Sequence, residues 1–310
     1  MTAGGAPERD FLSLADVEAD ELTGLIDDAR RIKADPRSVQ ERLAGHAVAL
    51  VFEKPSTRTR VSFEVAVTSM GGAPVVLRGD ELQLGRGETI DDTGRVLSRY
   101  VDAIVVRTFG QERLERLAHA ASVPVVNALS DFSHPCQGLA DLQTIAENKG
   151  RLEGVRLAYL GDGNNVAHSL MFGGAKVGMD VRIAAPAGYQ PDPGAVERSR
   201  AAASTSGGRV MVTGDVSEAV AGADVLYTDV WTSMGQEDEA ERRLAALRDY
   251  QLNAAAVERA APDVIVMHCL PAHRGEEITA EVIDGPHSIV FDQAENRLHS
   301  QKALLAWLIP

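Results

Sequence analysis

The chain has 310 residues, of which 45% are apolar and 25% charged, and it carries a formal charge of −14. That length accommodates two α/β domains. A pI near 5.0 excludes general affinity for nucleic acid or anionic membranes, but not a small anion held by a local group of arginines.

In chain order, strand-like apolar runs alternate with amphipathic helical ones. A helix is expected over 17–34 and a strand over Ala47–Phe52. Next comes the hydroxyl-rich run Ser56-Thr57-Arg58-Thr59-Arg60, followed by a helix-periodic stretch over 61–70. That order puts hydroxyls, backbone N–H groups and guanidinium at a helix N-terminus, where unpaired donors and the helix dipole favour an anion. On its own, the run fits a capped helix with solvated arginines equally well. Further strands are expected over 74–77, Ala103–Arg107, 123–127, 156–161, 180–185, 209–212, 225–229, 264–268 and 288–291, and helices over 111–121, 138–149 and 300–308. The alternation predicts an α/β fold: two doubly wound parallel-sheet domains with the active site in the cleft between them. The expected domains are 1–149 and 150–297, with a closing helix over 298–310 packing back onto the first.

In open parallel sheets, ligands sit at the carboxyl ends of strands. Six expected strand ends carry polar groups: Arg107; His134-Pro135-Cys136-Gln137; Asp162-Gly163-Asn164-Asn165; Asp229 with Ser233-Met234-Gly235; His268-Cys269-Leu270-Pro271; and Glu295-Asn296-Arg297. Each has a plain alternative. Arg107 reads as a surface arginine, His134 and Asp229 as helix caps, Cys269 as a packed thiol, and Leu270-Pro271 as a rigid turn in either isomer. Gly161-Asp162-Gly163 opens like a dinucleotide fingerprint, but Val166 replaces the third glycine, so a turn fits better than a nicotinamide site. Cys136 and Cys269 are the two cysteines of the chain. They cannot build a disulfide framework or a four-cysteine zinc site, and they suit a reducing cytoplasm. The histidines are not spaced as a metal cluster. Residues 1–10 lack a signal-peptide core, and no run approaches a membrane span.

Taken together, Ser56-Thr57-Arg58-Thr59-Arg60, Arg107, His134-Pro135-Cys136-Gln137 and His268-Cys269-Leu270-Pro271 resemble the aspartate/ornithine carbamoyltransferase family in order and spacing, over nearly the whole chain. Asn165, Asp229 and Ser233-Met234-Gly235 resemble its ornithine-using branch. The resemblance implies transfer of a carbamoyl group from carbamoyl phosphate to the δ-amine of L-ornithine, giving L-citrulline and phosphate. It implies Ser56, Thr57, Arg58 and Thr59 on the phosphate, and Arg107, His134 and Gln137 on the carbamoyl group, with Arg297, Cys269 and Leu270 also bordering that substrate. Asn165, Asp229, Ser233 and Met234 are implied for ornithine, with Cys269 contacting or deprotonating its amine. Neither metal nor cofactor is implied. The family also implies a cytoplasmic homotrimer in which the loop bearing Gln83 reaches a neighbouring subunit's site. No role is expected for His273-Arg274-Gly275.

Overall fold

The computed structural model describes residues 9–79, 87–232 and 237–310. The chain folds into two compact units, Met1–Gln143 with Asn296–Pro310, and Thr144–Glu295.

The first unit is built from α1 (Ala19–Ala34), β1 (Ala47–Phe52), α2 (Thr57–Ser69), β2 (Ala73–Arg78), α3 (Ile90–Leu97), β3 (Ala103–Arg107), α4 (Gln111–Ala120), β4 (Val125–Leu129) and the opening of α5 (Pro135–Lys149). Its four strands are all parallel, in the order β2-β1-β3-β4. β1 and β3 read as unbroken apolar runs because both their faces are covered. Ala49, Val51, Ile104 and Val106 pack there against Leu114 and Leu117 of α4.

The second unit follows with β5 (Arg156–Leu160), α6 (Asn165–Lys176), β6 (Asp180–Ala184), α7 (Pro193–Ser206), β7 (Arg209–Thr213), α8 (Val216–Val220), β8 (Val225–Thr228), α9 (Ala240–Leu247), α10 (Ala254–Arg259), β9 (Ile265–His268), α11 (Ala280–Ile283) and the start of α12 (Val290–Leu308). Its five strands are again all parallel, in the order β7-β6-β5-β8-β9. Leu160, Leu226, Val264 and Val266 form its core with Ile278 and Val290. Tyr159 and Tyr227 are fully buried on neighbouring strands, their rings stacked with centroids 5.8 Å apart.

Each sheet therefore reverses its winding direction once: between β1 and β3 in the first unit, and between β5 and β8 in the second. At such a switch point the two connections leave in opposite directions and open a crevice at the strands' carboxyl ends. Ser56 and Arg107 follow or end the strands at the first, and Asn164 and Asp229 follow those at the second.

One expected strand is absent. The stretch 288–291 contributes a single bridge, Ser288 to Val266, and helix α12 begins at Val290. The β-branched run favours extended structure locally, but after this bridge Val290 enters the core as the first helical residue. The expected closing helix is thus the second half of a 19-residue one, and Arg297 stands inside a helix, not at a strand end.

Candidate active site

In the first unit, Ser56 is the N-cap of α2, with extended backbone and an Oγ that accepts the Thr59 N–H at 3.3 Å. The first turn of α2 carries no acidic residue, so nothing there offsets the positive end of the helix. Thr57 and Arg58 are exposed, whereas Thr59 is buried. The two arginines of the run differ. Arg60 Nε donates to Glu64 at 2.8 Å one turn on, while Arg58 has no ion pair among the described residues. Both readings of the run thus hold in part: a capped helix with a surface ion pair, and an uncommitted guanidinium at an anion-ready start.

Behind this turn lies a buried polar cluster. Arg297 of α12 donates to Gln137 Oε1 at 2.7 Å and to Thr59 Oγ1 at 3.2 Å. Gln137 in turn donates from Nε2 to Asp141 at 2.8 Å. Its amide is held at both ends, which fixes the oxygen toward Arg297 and leaves one N–H uncommitted in this chain of bonds. Asp141 escaped the sequence reading, although its spacing of four from Gln137 on one helix was a usable signal. Arg107, ending β3, is 8% exposed, not the surface arginine of its plain alternative. His134 is buried immediately before α5. Burial pushes its imidazole well below the usual histidine range, and the charges of Arg297 and Arg107 push the same way. His134 is therefore neutral at pH 7, a form that carries one ring N–H. Cys136 is buried with its thiol directed to Asn127 O at 3.3 Å, and burial raises its pKa to about 12. It is a packing residue.

In the second unit, the turn after β5 is not a dinucleotide loop. A Cβ on Gly163 would stand 2.2 Å from Pro191 N, so only glycine fits. Asn164 caps α6 by accepting the N–H groups of Val166 and Ala167, and its Nδ2 donates to Asp229 Oδ2 at 2.8 Å. Asn164 thus holds that carboxylate, and Asn165, expected on ornithine, is the first residue of the helix. The other Asp229 oxygen accepts from Cys269 Sγ at 2.9 Å. Asp229 is 6% exposed, and it stands between a cap amide and a thiol. Cys269 is partly exposed and engaged with a carboxylate, not packed among apolar groups.

The Cys269 loop is fixed by a buried pair the sequence reading did not assign. Leu270 N–H donates to His268 Nδ1 at 2.9 Å, which leaves the ring proton on Nε2 to face Glu277 Oε1 at 3.1 Å. Both His268 and Glu277 are fully buried. Leu270 has φ 58°, the left-handed region that non-glycine residues rarely occupy, and the Leu270–Pro271 bond is cis. The backbone N–H of His268 is itself held by Gln293 Oε1 at 2.8 Å. Ser233, Met234 and Gln83 lie outside the described residues.

Residues 9–147 match the family model for the carbamoyl-phosphate-binding domain of aspartate/ornithine carbamoyltransferases, and residues 153–308 match the model for the Asp/Orn-binding domain. The chain is 58% identical over 304 residues to an ornithine carbamoyltransferase of Parafrankia sp., covering 97% of this chain and 96% of that one. It is 54% identical over 303 residues to an ornithine carbamoyltransferase of Thermococcus kodakarensis, covering 96% and 95%. Among solved structures it resembles the ornithine carbamoyltransferase from Pyrococcus furiosus, with a TM-score of 0.94, 52% identity and 99% of each chain covered.

Proposed function

Because the chain belongs to the aspartate/ornithine carbamoyltransferase family, we propose that it joins carbamoyl phosphate to the δ-amine of L-ornithine, releasing L-citrulline and phosphate. It is a carbamoyltransferase with ornithine as its acceptor.

The phosphate lies on the start of α2, met by the Ser56–Thr59 hydroxyls and amides and by Arg58 and Arg107. Arg107, neutral His134 and Gln137 donate to the carbamoyl group, and Arg297 borders it. Negative charge grows on the carbonyl oxygen as the tetrahedral transition state forms. A donor already aimed at that oxygen supplies roughly 3–4 kcal/mol. The amide of Gln137, clamped between Arg297 and Asp141, suits that demand because it does not have to reorient.

At the other end, Asp229 faces the α-ammonium of ornithine, with Asn165, Ser233 and Met234 completing the seat. An unperturbed alkyl ammonium has a pKa of about 10.4, so the δ-amine must lose a proton before it attacks. Cys269, its backbone locked through Leu270 and His268, contacts this amine. Asp229 favours an amino acid over a plain diamine such as putrescine, which has no α-carboxylate or α-ammonium to recognise. Proximity and carbonyl polarisation account for the transfer without a covalent enzyme intermediate.

The observation that carries this reading is that each polar cluster stands at the switch point of its own sheet, one rich in guanidinium at a helix start and one centred on a buried carboxylate. The working division is a carbamoyl phosphate domain over 1–149 joined by 298–310, and an ornithine domain over 150–297. The working assembly is a homotrimer with Gln83 reaching a neighbour's site. The incompletely buried edge strand β2 and the exposed Val61 and Val65 of α2 favour such a contact. We place the activity in arginine biosynthesis and in the cytoplasm. Among the described residues, no helix is long and apolar enough to cross a membrane. A citrulline-forming assay with carbamoyl phosphate and ornithine, putrescine, aspartate or N-acetylornithine tests the reading. Turnover is expected with ornithine, and turnover only with another acceptor refutes it.

A further inference from the structure

Strand β9 stands at the edge of its sheet, with β8 on one side. Alternate N–H groups of a strand turn to opposite sides. That of Ile265 goes to Asp224 O, just before β8, whereas those of Val266 and His268 go to the open edge. A buried N–H on that edge needs an acceptor. Val266 finds one in His287 O at 2.8 Å, and its own carbonyl accepts the Ile289 N–H at 3.0 Å. The covering segment then winds into α12 at Val290, so the backbone leaves the edge before it reaches His268. The Gln293 side chain takes its place, and its Oε1 accepts the His268 N–H at 2.8 Å.

This amide is set from both ends. Gln293 and Tyr227 are fully buried, and Gln293 Nε2 donates to Tyr227 Oη at 3.0 Å. The His268 N–H can meet only the amide oxygen, which decides the way the amide faces. Tyr227 stacks on Tyr159, whose hydroxyl donates to Asn164 Oδ1 at 3.2 Å, and Asn164 holds Asp229 at 2.8 Å. In the other direction His268 is followed by Cys269, whose thiol returns to Asp229 at 2.9 Å. Gln293 thus stands where the support of the thiol meets the support of the carboxylate. The loop it steadies is strained: Leu270, at φ 58°, has a conformation that persists only where its surroundings hold it.

We propose that Gln293 is a positioning residue for the acceptor substrate: by completing the edge of β9 it fixes where the Cys269 thiol meets the incoming amine, without touching the substrate itself. The role rests on the function proposed above. An apolar side chain of the same length cannot serve, because Met offers at best a weak acceptor and no donor. Glu can serve. As the carboxylic acid, the form that burial favours, it accepts from His268 and donates to Tyr227. In Gln293→Met the His268 N–H is left buried without its acceptor, the peptide before Cys269 turns, and the thiol draws away from Asp229. A thiol released from an anionic neighbour ionises more readily and reacts faster.

The test compares the full-length wild type with Gln293→Met and Gln293→Glu. Citrulline formation is expected to show an ornithine KM raised about tenfold in Gln293→Met, the size of one displaced hydrogen bond. The Kd of carbamoyl phosphate by calorimetry should stay within about twofold, and Gln293→Glu should restore the ornithine KM. Iodoacetamide at neutral pH is expected to alkylate Cys269 about threefold faster in Gln293→Met and at the wild-type rate in Gln293→Glu, with mass spectrometry assigning the label to Cys269. An ornithine KM or an alkylation rate unchanged in Gln293→Met, even with a lowered Tm, overturns the role, and so does a Glu variant that behaves like the Met one. If Gln293→Met does not fold, Gln293→Asn, which keeps the amide and lacks the reach, carries the same expectations. The alkylation arm needs no turnover: a wild type that forms no citrulline refutes the proposed activity, whereas an unaltered alkylation rate refutes the role of Gln293.

Discussion

Replacing Arg58 by Gln separates a substrate-binding arginine from a surface one. Arg58 is exposed at the second position of α2 and has no ion pair among the described residues, so its loss leaves no buried group without a partner. Surface substitutions of this kind stay within about 0.5 kcal/mol, and the Tm should hold. A charge-assisted hydrogen bond to phosphate contributes roughly 1.5–3 kcal/mol. At about 1.4 kcal/mol per factor of ten, kcat/KM for carbamoyl phosphate should fall by roughly 10- to 150-fold. Arg60→Gln is the control. It removes only the Glu64 ion pair, worth about 0.3–0.5 kcal/mol on a helix surface, and should leave kcat/KM within about twofold. The assay is initial-rate citrulline formation with carbamoyl phosphate varied at saturating ornithine, beside thermal unfolding of each variant. If Arg58→Gln turns over like Arg60→Gln, both arginines are solvated and the anion site is elsewhere.

Cys269→Ser should raise the ornithine KM by roughly tenfold, the loss of one hydrogen bond of about 1 kcal/mol or slightly more, while calorimetric binding of carbamoyl phosphate is unchanged; equal loss at both ends would make Cys269 a packing residue. Asp141→Ala should destabilise the protein by about 1–3 kcal/mol by stripping Gln137 Nε2 of its acceptor and should lower kcat. In a Gln137→Ala background it should cost no further activity, and an additive loss would show that Asp141 acts independently. His134 sets a sign for acid stability. Its folded pKa is depressed by burial and by Arg297 and Arg107, so its contribution is complete above the unfolded value of about 6.5 and is lost as pH falls below it, by up to about 1.4 kcal/mol per pH unit. Urea unfolding at pH 7.5, 6.5 and 5.5 should show a flatter acid limb in His134→Asn, and equal slopes would mean that His134 is charged in the folded protein.

Motif-bearing strands were easy to read in this chain because parallel strands covered on both faces leave unbroken apolar runs. Ala47–Phe52 and Ala103–Arg107 agree to the residue. Helix α12 was hard for the opposite reason. Gln293, Asn296, Ser300 and Gln301 are all buried, so its polar residues do not mark a solvent face and its apolar ones do not mark a stripe. The preceding β-branched residues then suggested a strand. At the site, residues announced by a local pattern are where that pattern puts them: the Ser56 cap, and His134 before α5. What the pattern concealed are partners chosen by tertiary structure. Arg297 meets Gln137 across 160 positions, and Asn164, to which no role was assigned, holds Asp229. No local rule separates two adjacent asparagines until the helix start assigns one of them as the cap.

The two thiols differ in a way that has practical use. Cys136 is closed off, bonded to a backbone carbonyl and raised to about 12, so the thiolate that alkylating reagents require is scarce there. Cys269 is partly exposed. The wild-type chain therefore offers a chemist one addressable sulfur, and it lies against Asp229. A maleimide or fluorinated tag added without engineering would report from the acceptor seat itself, and the rate of its attachment would serve as an occupancy gauge for that seat.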